Sequence, residues 1–420
     1  MKRIFTLFAM ALLCLSGILA QRYAGGDISL LPEYEKAGAK YNDYTGKLIP
    51  ELLPWLHQEG MNAMRVRLFV NPKKYKELHS ADAGDTKYDP NACQDLEYIK
   101  PLCKRIVDNG MDLMLDFHYS DTWADPAKQW TPIDWQSLND EQLYQKIYDY
   151  TKETLEALKA DGIVPAFIQP GNEISYGMLW GPAGTSSPKK ALMGSDANWA
   201  RFGKLLNNAI KACREVCPKA KIVIHTERVE QTGVQKNFYD QMKKLGIDYD
   251  IIGLSYYPYW HGDISVLANA LTSLEQNYPE KKIMIVETGY SYKWALGDKD
   301  YSSEWPLSYE GQAKYAKDLV TLLEQHPAVN GLFWWWMEYN AYGTSLQGWY
   351  NAPLFDSTNG RATPALKEIC SFAESSGVED ITTPEAEEQN RVWYDLSGRR
   401  VDNPVNPGIY VSRGRKIIVR

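Results

Sequence analysis

The sequence predicts an α/β fold of the (β/α)8 class, a TIM barrel carrying a short β-rich appendage at its C-terminus. Three observations predict it. Short β-compatible apolar runs alternate with amphipathic helical stretches from about residue 24 to residue 373. Eight runs and eight stretches can be counted, the number that closes such a barrel. No Gly-rich phosphate fingerprint follows the first run, which argues against an open doubly wound sheet that binds dinucleotides.

The first run, Tyr23 to Ile28, is the poorest in β-branched residues. The second is Asn62 to Phe69 and the third Met111 to Phe117, followed by Ile163 to Ile168 and Lys221 to Thr226. Ile251 to Tyr256, Lys282 to Glu287 and Gly331 to Trp336 complete the set. Helical spacing fills the intervals. Leu48, Ile49, Leu52, Leu53 and Leu56 share one face before Gly60, and Leu96, Ile99, Cys103 and Ile106 do so before Gly110. Longer helices are predicted over Glu141–Ala160, Asn198–Val216, Val234–Leu245, Ile264–Gln276, Glu310–Gln325 and Pro364–Phe372.

The two ends of the chain differ from this barrel segment, residues 21–373. Lys2 and Arg3 precede an apolar stretch from Ile4 to Leu19, and small residues lead to Ala20; residues 1–20 therefore read as a signal peptide. Export across the inner membrane follows, to the periplasm, the cell surface or the medium. The stretch is short for a spanning helix, so no transmembrane segment is expected. Residues 374–390 are acidic and polar and read as a linker. Residues 391–420 form a small β-rich module with β-like segments at Val392–Leu396, Gly408–Ser412 and Lys416–Val419. It resembles the short C-terminal modules of many secreted Bacteroidetes proteins, which implies a role in export or surface sorting.

The formal net charge is −7 over 420 residues, and no basic stretch could track a phosphate backbone; nucleic acid is not an expected partner. Five cysteines follow the leader, an odd and scattered set that is no disulfide framework, and neither they nor the six histidines have metal-site spacing. The 14 Trp and 28 Tyr stand out, because flat apolar faces with polar handles suit sugar-stacking surfaces. Eleven of the tryptophans, Trp123, Trp130, Trp135, Trp180, Trp260, Trp294, Trp305, Trp334, Trp335, Trp336 and Trp349, fall in βα loops or at strand ends and read as a chain-binding groove, with some necessarily buried.

In a (β/α)8 barrel the chemistry sits at the C-terminal ends of the strands. Strand four ends in Gln169-Pro170-Gly171-Asn172-Glu173, and strand seven in Val286-Glu287-Thr288-Gly289-Tyr290. A lone strand-end glutamate is more often a surface or salt-bridge residue. Two facing each other across the mouth are what glycoside hydrolysis uses, one protonating the leaving oxygen and the other attacking the anomeric carbon or activating water. Arg65 and Arg67 lie two apart on strand two, so they share a face and either could hold Glu287 ionised by charge pairing; a structural ion pair is the plainer account of each. His118, His225 and Tyr256 end strands three, five and six.

Asn172-Glu173 and Glu287 resemble the signature of clan A glycoside hydrolases. Six ordered segments are similar to glycoside hydrolase family 53, the endo-β-1,4-galactanases. They are Gly25-Gly26-Asp27-Ile28-Ser29, Arg65-Val66-Arg67-Leu68-Phe69, Asp116 to Pro126, Gly171-Asn172-Glu173-Ile174, Ser255-Tyr256-Tyr257-Pro258 and Glu287-Thr288-Gly289-Tyr290. The resemblance implies a retaining enzyme with Glu173 as acid/base and Glu287 as nucleophile, whose carboxyl groups would stand about 5 Å apart. It implies further that Asn172 binds the sugar 2-hydroxyl, Tyr256 hydrogen-bonds the nucleophile and Arg65 supports it. Trp123 and Trp335 are the best stacking candidates, with Asp121, His118 and His225 as polar groups of the site. The substrate implied is β-1,4-galactan in pectic galactan or type I arabinogalactan. A mannanase or cellulase of the same clan and a non-catalytic glycan-binding barrel are the alternatives. No cofactor is expected. Some bacterial members of the family carry a calcium-binding loop after strand seven, but here Leu296-Gly297-Asp298-Lys299-Asp300-Tyr301-Ser302-Ser303 places a lysine between two acids and makes a poor calcium loop.

Overall fold

The computed structural model describes residues 21–80, 82–185, 188–192, 194–344 and 352–374, with the strand segments 378–380, 393–394, 400–401, 408–412 and 415–419. The signal peptide read at residues 1–20, Trp349 and most of the linker lie outside the described residues. The chain divides into two compact units, Arg22–Ser375 and one that includes Ser376–Arg420.

The larger unit is a closed barrel of eight parallel strands in sequence order. They are β1 Tyr23–Asp27, β2 Ala63–Leu68, β3 Asp112–Phe117, β4 Phe167–Pro170, β5 Lys221–Thr226, β6 Ile251–Tyr256, β7 Lys282–Thr288 and β8 Val329–Trp334. Helices Leu52–Gln58, Leu96–Asp108, Asp140–Ala160, Asp196–Val216, Thr232–Lys244, Ile264–Asn277, Tyr309–Glu324 and Ala365–Glu374 follow the strands in turn. Local chemistry sets several of their starts. Asn139 and Gln142 form a reciprocal capping box at the head of Asp140–Ala160, and Asp95, Ser195, Asp263 and Ser308 each accept a backbone N–H of the first turn.

Two strands depart from the sequence reading. β4 starts four residues later than predicted, because Pro165 has no N–H for the ladder and Val164 is exposed on the approach. β8 ends at Trp334, where the backbone turns and Trp335 N–H donates to the Thr288 carbonyl at 2.7 Å.

The barrel interior is layered. Ala63, Met114, Phe167, Val223, Ile251, Met284, Val286 and Phe333 fill its lower part as a separate apolar cluster. Side chains alternate along a strand, so the residues two and four further on point into the mouth. On β2 to β6 these include Arg65 and Arg67, Asp116, Gln169, His225 and Ser255. The apolar floor therefore fixes which polar residues face the site. β7 breaks the alternation: its register with β6 runs Leu254 with Ile285 and then Ser255 with Glu287, skipping Val286. This bulge turns both Val286 and Glu287 inward.

In the smaller unit the described strands Val378–Asp380, Trp393–Tyr394, Arg400–Val401, Gly408–Ser412 and Arg415–Val419 form one sheet. Val378–Asp380 falls within the stretch read as linker and pairs in parallel with Lys416–Ile418.

Candidate active site

The site is built around one buried cation. Arg65 is fully buried at the centre of β2. Its Nη2 lies 2.7 Å from Asp116 Oδ2 and 3.0 Å from Glu287 Oε1 and donates to Asn172 Oδ1 at 2.8 Å, while its Nη1 lies 3.3 Å from Asp27 Oδ2. Burial alone would lower the guanidinium pKa; Asp116, Glu287 and Asp27 together reverse that and raise it. Asp116 shows the matching response. Burial pushes its carboxyl up, but Arg65 and His118 outweigh this and leave it below the usual range.

Glu287 receives two stabilising contacts, Arg65 on Oε1 and a hydrogen bond donated by the Tyr257 hydroxyl to Oε2 at 3.0 Å. Burial raises its pKa to about 7 against the pull of Arg65 and Tyr257. Among the described residues no cation pairs with Glu173. Its Oε1 accepts from the Ser255 hydroxyl at 2.7 Å, and Ser255 is in turn 2.8 Å from His225 Nε2. Burial first, and then the negative charges of Glu287 and Glu227, drive its pKa well above the ordinary value. The two carboxyls are thus separated in acidity, Glu287 the stronger acid and Glu173 the weaker.

The turn that presents Glu173 is tightly specified. Glu173 sits in the left-handed region at φ 47, ψ 54, an uncommon place for a residue with a Cβ. Gly171 precedes it at φ 122, and a Cβ there would stand 2.6 Å from Ile174. Asn172 is fixed from three sides. Its side chain accepts from Arg65 and donates to the Ala124 carbonyl at 2.8 Å, and its own carbonyl accepts from Gln129 at 2.7 Å. His225 Nδ1 accepts from Gln169 at 3.0 Å, which sets the tautomer that presents Nε2–H to Ser255.

The structure places Glu173, Glu287, Asn172, Arg65 and His225 in one hydrogen-bonded and ion-paired group. Tyr256 is a correction. It points away from the barrel, and its hydroxyl donates to the Gly262 carbonyl at 3.0 Å; the nucleophile's partner is Tyr257, because Ser255 and Tyr257 share the inward parity of Ile251. Two other polar candidates are consumed by the protein. Asp121 accepts from the backbone of Asn71 at 2.9 Å and of Ile133 at 2.7 Å, so it ties loops together, and burial pushes it up to about 6. His118 accepts from Ala124 N–H at 3.0 Å and has Nε2 3.1 Å from Asp116; it is 1% exposed and supports the Arg65 cluster from behind.

Trp123 and Trp335 do meet, ring centroids 5.9 Å apart, and with Trp336 they enclose the buried Arg67 guanidinium at 4.7 to 5.0 Å. Most of the other loop tryptophans are structural. Trp305 and Trp334 are wholly buried, Trp135 and Trp180 nearly so, whereas Trp260 and Trp294 remain exposed. Asp27, Gln169, Ser255, Tyr257, Glu227 and Glu338 are members of the site or its support that sequence reading assigned no role. Glu338 accepts from Leu30 N–H at 2.8 Å, and burial and Asp27 push it up to about 8. After β7, Lys299 Nζ donates to the Trp260 carbonyl and Asp300 accepts from Ser302 N–H. Among the described residues no group of three His, Cys, Asp or Glu side chains could hold a metal.

Residues 23–369 match the family described as glycosyl hydrolase family 53. An arabinogalactan endo-beta-1,4-galactanase of Cellvibrio japonicus is 33% identical over 364 residues, covering 82% of this chain and 89% of its own. The GH53 catalytic domain of Ignisphaera aggregans superposes with a TM-score of 0.71 at 32% identity, over 83% of this chain and 95% of that one. A structure from a study of two fungal beta-1,4-galactanases gives a TM-score of 0.68 at 30% identity, over 83% of this chain and 99% of that one.

Proposed function

Because the chain belongs to glycosyl hydrolase family 53, we propose that it is an endo-acting β-1,4-galactanase that works by double displacement with retention. Its being a glycoside hydrolase follows from the family; the linkage, the stereochemistry and the roles of individual residues are our reading. One observation carries it: Glu287 lies between Arg65 and Tyr257, which favour its anion, while Glu173 is held by a hydroxyl in a desolvated setting that favours its acid.

In the first step Glu287 Oε attacks the anomeric carbon as Glu173 gives its proton to the departing glycosidic oxygen. Forming the ester removes the charge of Glu287, and with it the repulsion that kept Glu173 protonated. Glu173 can then take a proton from water, which attacks the same carbon and releases Glu287. Arg65 and Tyr257 bind the carboxylate as it re-forms. The side chains supply every step, so the reading calls for no cofactor.

The galactan preference rests on the names of the relatives. Incubation with linear β-1,4-galactan, β-mannan and cellulose tests it: galacto-oligosaccharides should appear from the first alone. Release from mannan or cellulose at equal rates would move the reading to another endo-glycanase of the clan. Glu287→Ala should abolish cleavage while keeping oligosaccharide binding, and wild-type turnover in that variant would overturn the site. Initial β-anomeric product by NMR would establish retention. We further propose that residues 1–20 direct export and that residues 391–420 act in export or surface sorting.

A further inference from the structure

On the loops after β3, β4 and β5 lies a cavity of about 600 Å³ whose lining includes Pro126, Tyr176, Lys190, Leu192 and Arg228. Its charge runs against that of the protein. The chain carries a net −7, yet the cavity lining holds two cations and no carboxylate. Both cations gather on one ring: Arg228 lies 4.7 Å from the Tyr176 centroid and Lys190 5.5 Å, with Lys190 also 4.5 Å from Trp180. Trp180 donates to the Tyr176 carbonyl at 3.0 Å, which fixes the aromatic wall.

The cavity is tied to the catalytic centre. Tyr176 is three residues after Glu173 in the same short turn. Arg228 Nε lies 2.8 Å from the buried Glu227, which accepts from Ser175 in that turn at 2.5 Å. Glu227 takes the inner side of Arg228. Among the described residues no carboxylate pairs with Lys190. A group bound here therefore sits against the turn that carries Glu173 and meets positive charge.

We infer that this cavity is a leaving-group subsite for a carboxylate-bearing sugar, so that the enzyme favours galactan chains with a uronic acid on the reducing-end side of the cleaved bond. The inference rests on the galactanase reading above. A pyranose fits the space, an apolar ring face can lie on Tyr176 and Leu192, and the carboxylate completes the charge of Lys190 and Arg228.

Three substrates test it: a neutral β-1,4-galacto-oligosaccharide, the same chain ending in a uronic acid, and the methyl ester of that acid. At low salt kcat/KM for the acid should exceed that for the ester by about tenfold, as two weakly screened charge contacts provide, and the ratio should fall towards one at high salt. Lys190→Gln should cut the ratio severalfold, and Lys190→Gln with Arg228→Gln should remove it, the neutral chain serving as internal reference for any general loss. Because Arg228→Gln leaves Glu227 without its partner, Lys190→Gln alone keeps the test valid if the double variant melts early. An acid-to-ester ratio near one in the wild type, or a ratio untouched by Lys190→Gln, would overturn the inference. Should the wild type leave the neutral chain uncut, the galactanase reading fails instead; calorimetric binding of acid and ester to Glu287→Ala then decides the subsite alone.

Discussion

The two halves of the barrel mouth hold their carboxylates by opposite means. On the side of β7, β1, β2 and β3, formal charges dominate: Arg65 meets Asp27, Asp116 and Glu287 in one buried cluster. On the side of β4, β5 and β6 the contacts are neutral, running from Gln169 through His225 and Ser255 to Glu173. A buried acid beside a guanidinium ionises more readily than one beside a hydroxyl and two other carboxylates. The asymmetry between nucleophile and proton donor is therefore a property of the scaffold on which each stands.

The strongest way to break the contrast is to remove the cation. Arg65→Met leaves Asp116 and Glu287 without their shared guanidinium in a buried space, while Asp27 keeps Arg67 at 3.3 Å. Loss of such a partner costs about 3–5 kcal/mol of stability, and the site loses its means of keeping Glu287 ionised. A fall in kcat/KM of roughly 10³-fold or more is expected at neutral pH. Arg65→Lys should recover part of the stability and less of the rate, since an ammonium cannot span the same oxygens. Near-normal kcat/KM in Arg65→Met would show that the charged half does not set the nucleophile's state.

Tyr257 tests the same half more gently. Tyr257→Phe removes the donor to Glu287 Oε2, so the anion is less favoured and the acid limb of the kcat/KM profile should move to higher pH by about one unit. The sign follows from the ionised form being the active one: activity falls as pH drops through the Glu287 pKa, and a raised pKa brings that fall sooner. Tyr256→Phe should leave the profile in place and cost about 1 kcal/mol of stability through the lost bond to Gly262. The opposite pattern in the two variants would restore Tyr256 as the nucleophile's partner.

That contrast also marks what a sequence can and cannot disclose. The alternation of runs and amphipathic stretches exposes the barrel, because each strand must be apolar and each helix must bury one stripe. Glu173, Glu287 and Asn172 are legible as polar residues where apolar runs end, and Arg65 as a charge within one. Orientation within a strand is less accessible. On β6 both Ile251 and Ile252 are apolar, so composition gives no parity, and Tyr256 and Tyr257 look alike until the floor at Ile251 is known. The bulge at Val286 is harder still, since nothing in Met284-Ile285-Val286-Glu287 signals a skipped residue. Aromatic content misleads in a different way. Trp305 and Trp334 resemble loop platforms in sequence, yet they are wholly buried and donate to Asp318 and to the Ala352 carbonyl.

The neutral half should answer to Ser255. Ser255→Ala withdraws a hydrogen bond that lowers the Glu173 pKa, so the basic limb should shift to higher pH while kcat falls about tenfold as the carboxyl loses its anchor. The shift runs upward because the protonated form is the active one and now persists longer. A basic limb that stays fixed would mean that Ser255 holds the loop and not the proton donor.

The smallest effect is expected at Glu338, which lies by Asp27 at the edge of the charged half but carries no charge in its preferred state. Burial and Asp27 raise its pKa to about 8, so between the unfolded value near 4.5 and about 8 the folded chain holds a proton that the unfolded chain releases. Its contribution to stability is complete below the unfolded pKa and is lost as pH rises through the folded one. Glu338→Gln keeps an acceptor for Leu30 N–H and cannot ionise. It should flatten the decline in melting temperature between pH 5 and pH 8 and leave kcat/KM within about twofold, because the residue touches neither Glu173 nor Glu287. A melting curve with the wild-type pH slope would place the ionised form of Glu338 in the fold and extend the charged half of the mouth to it.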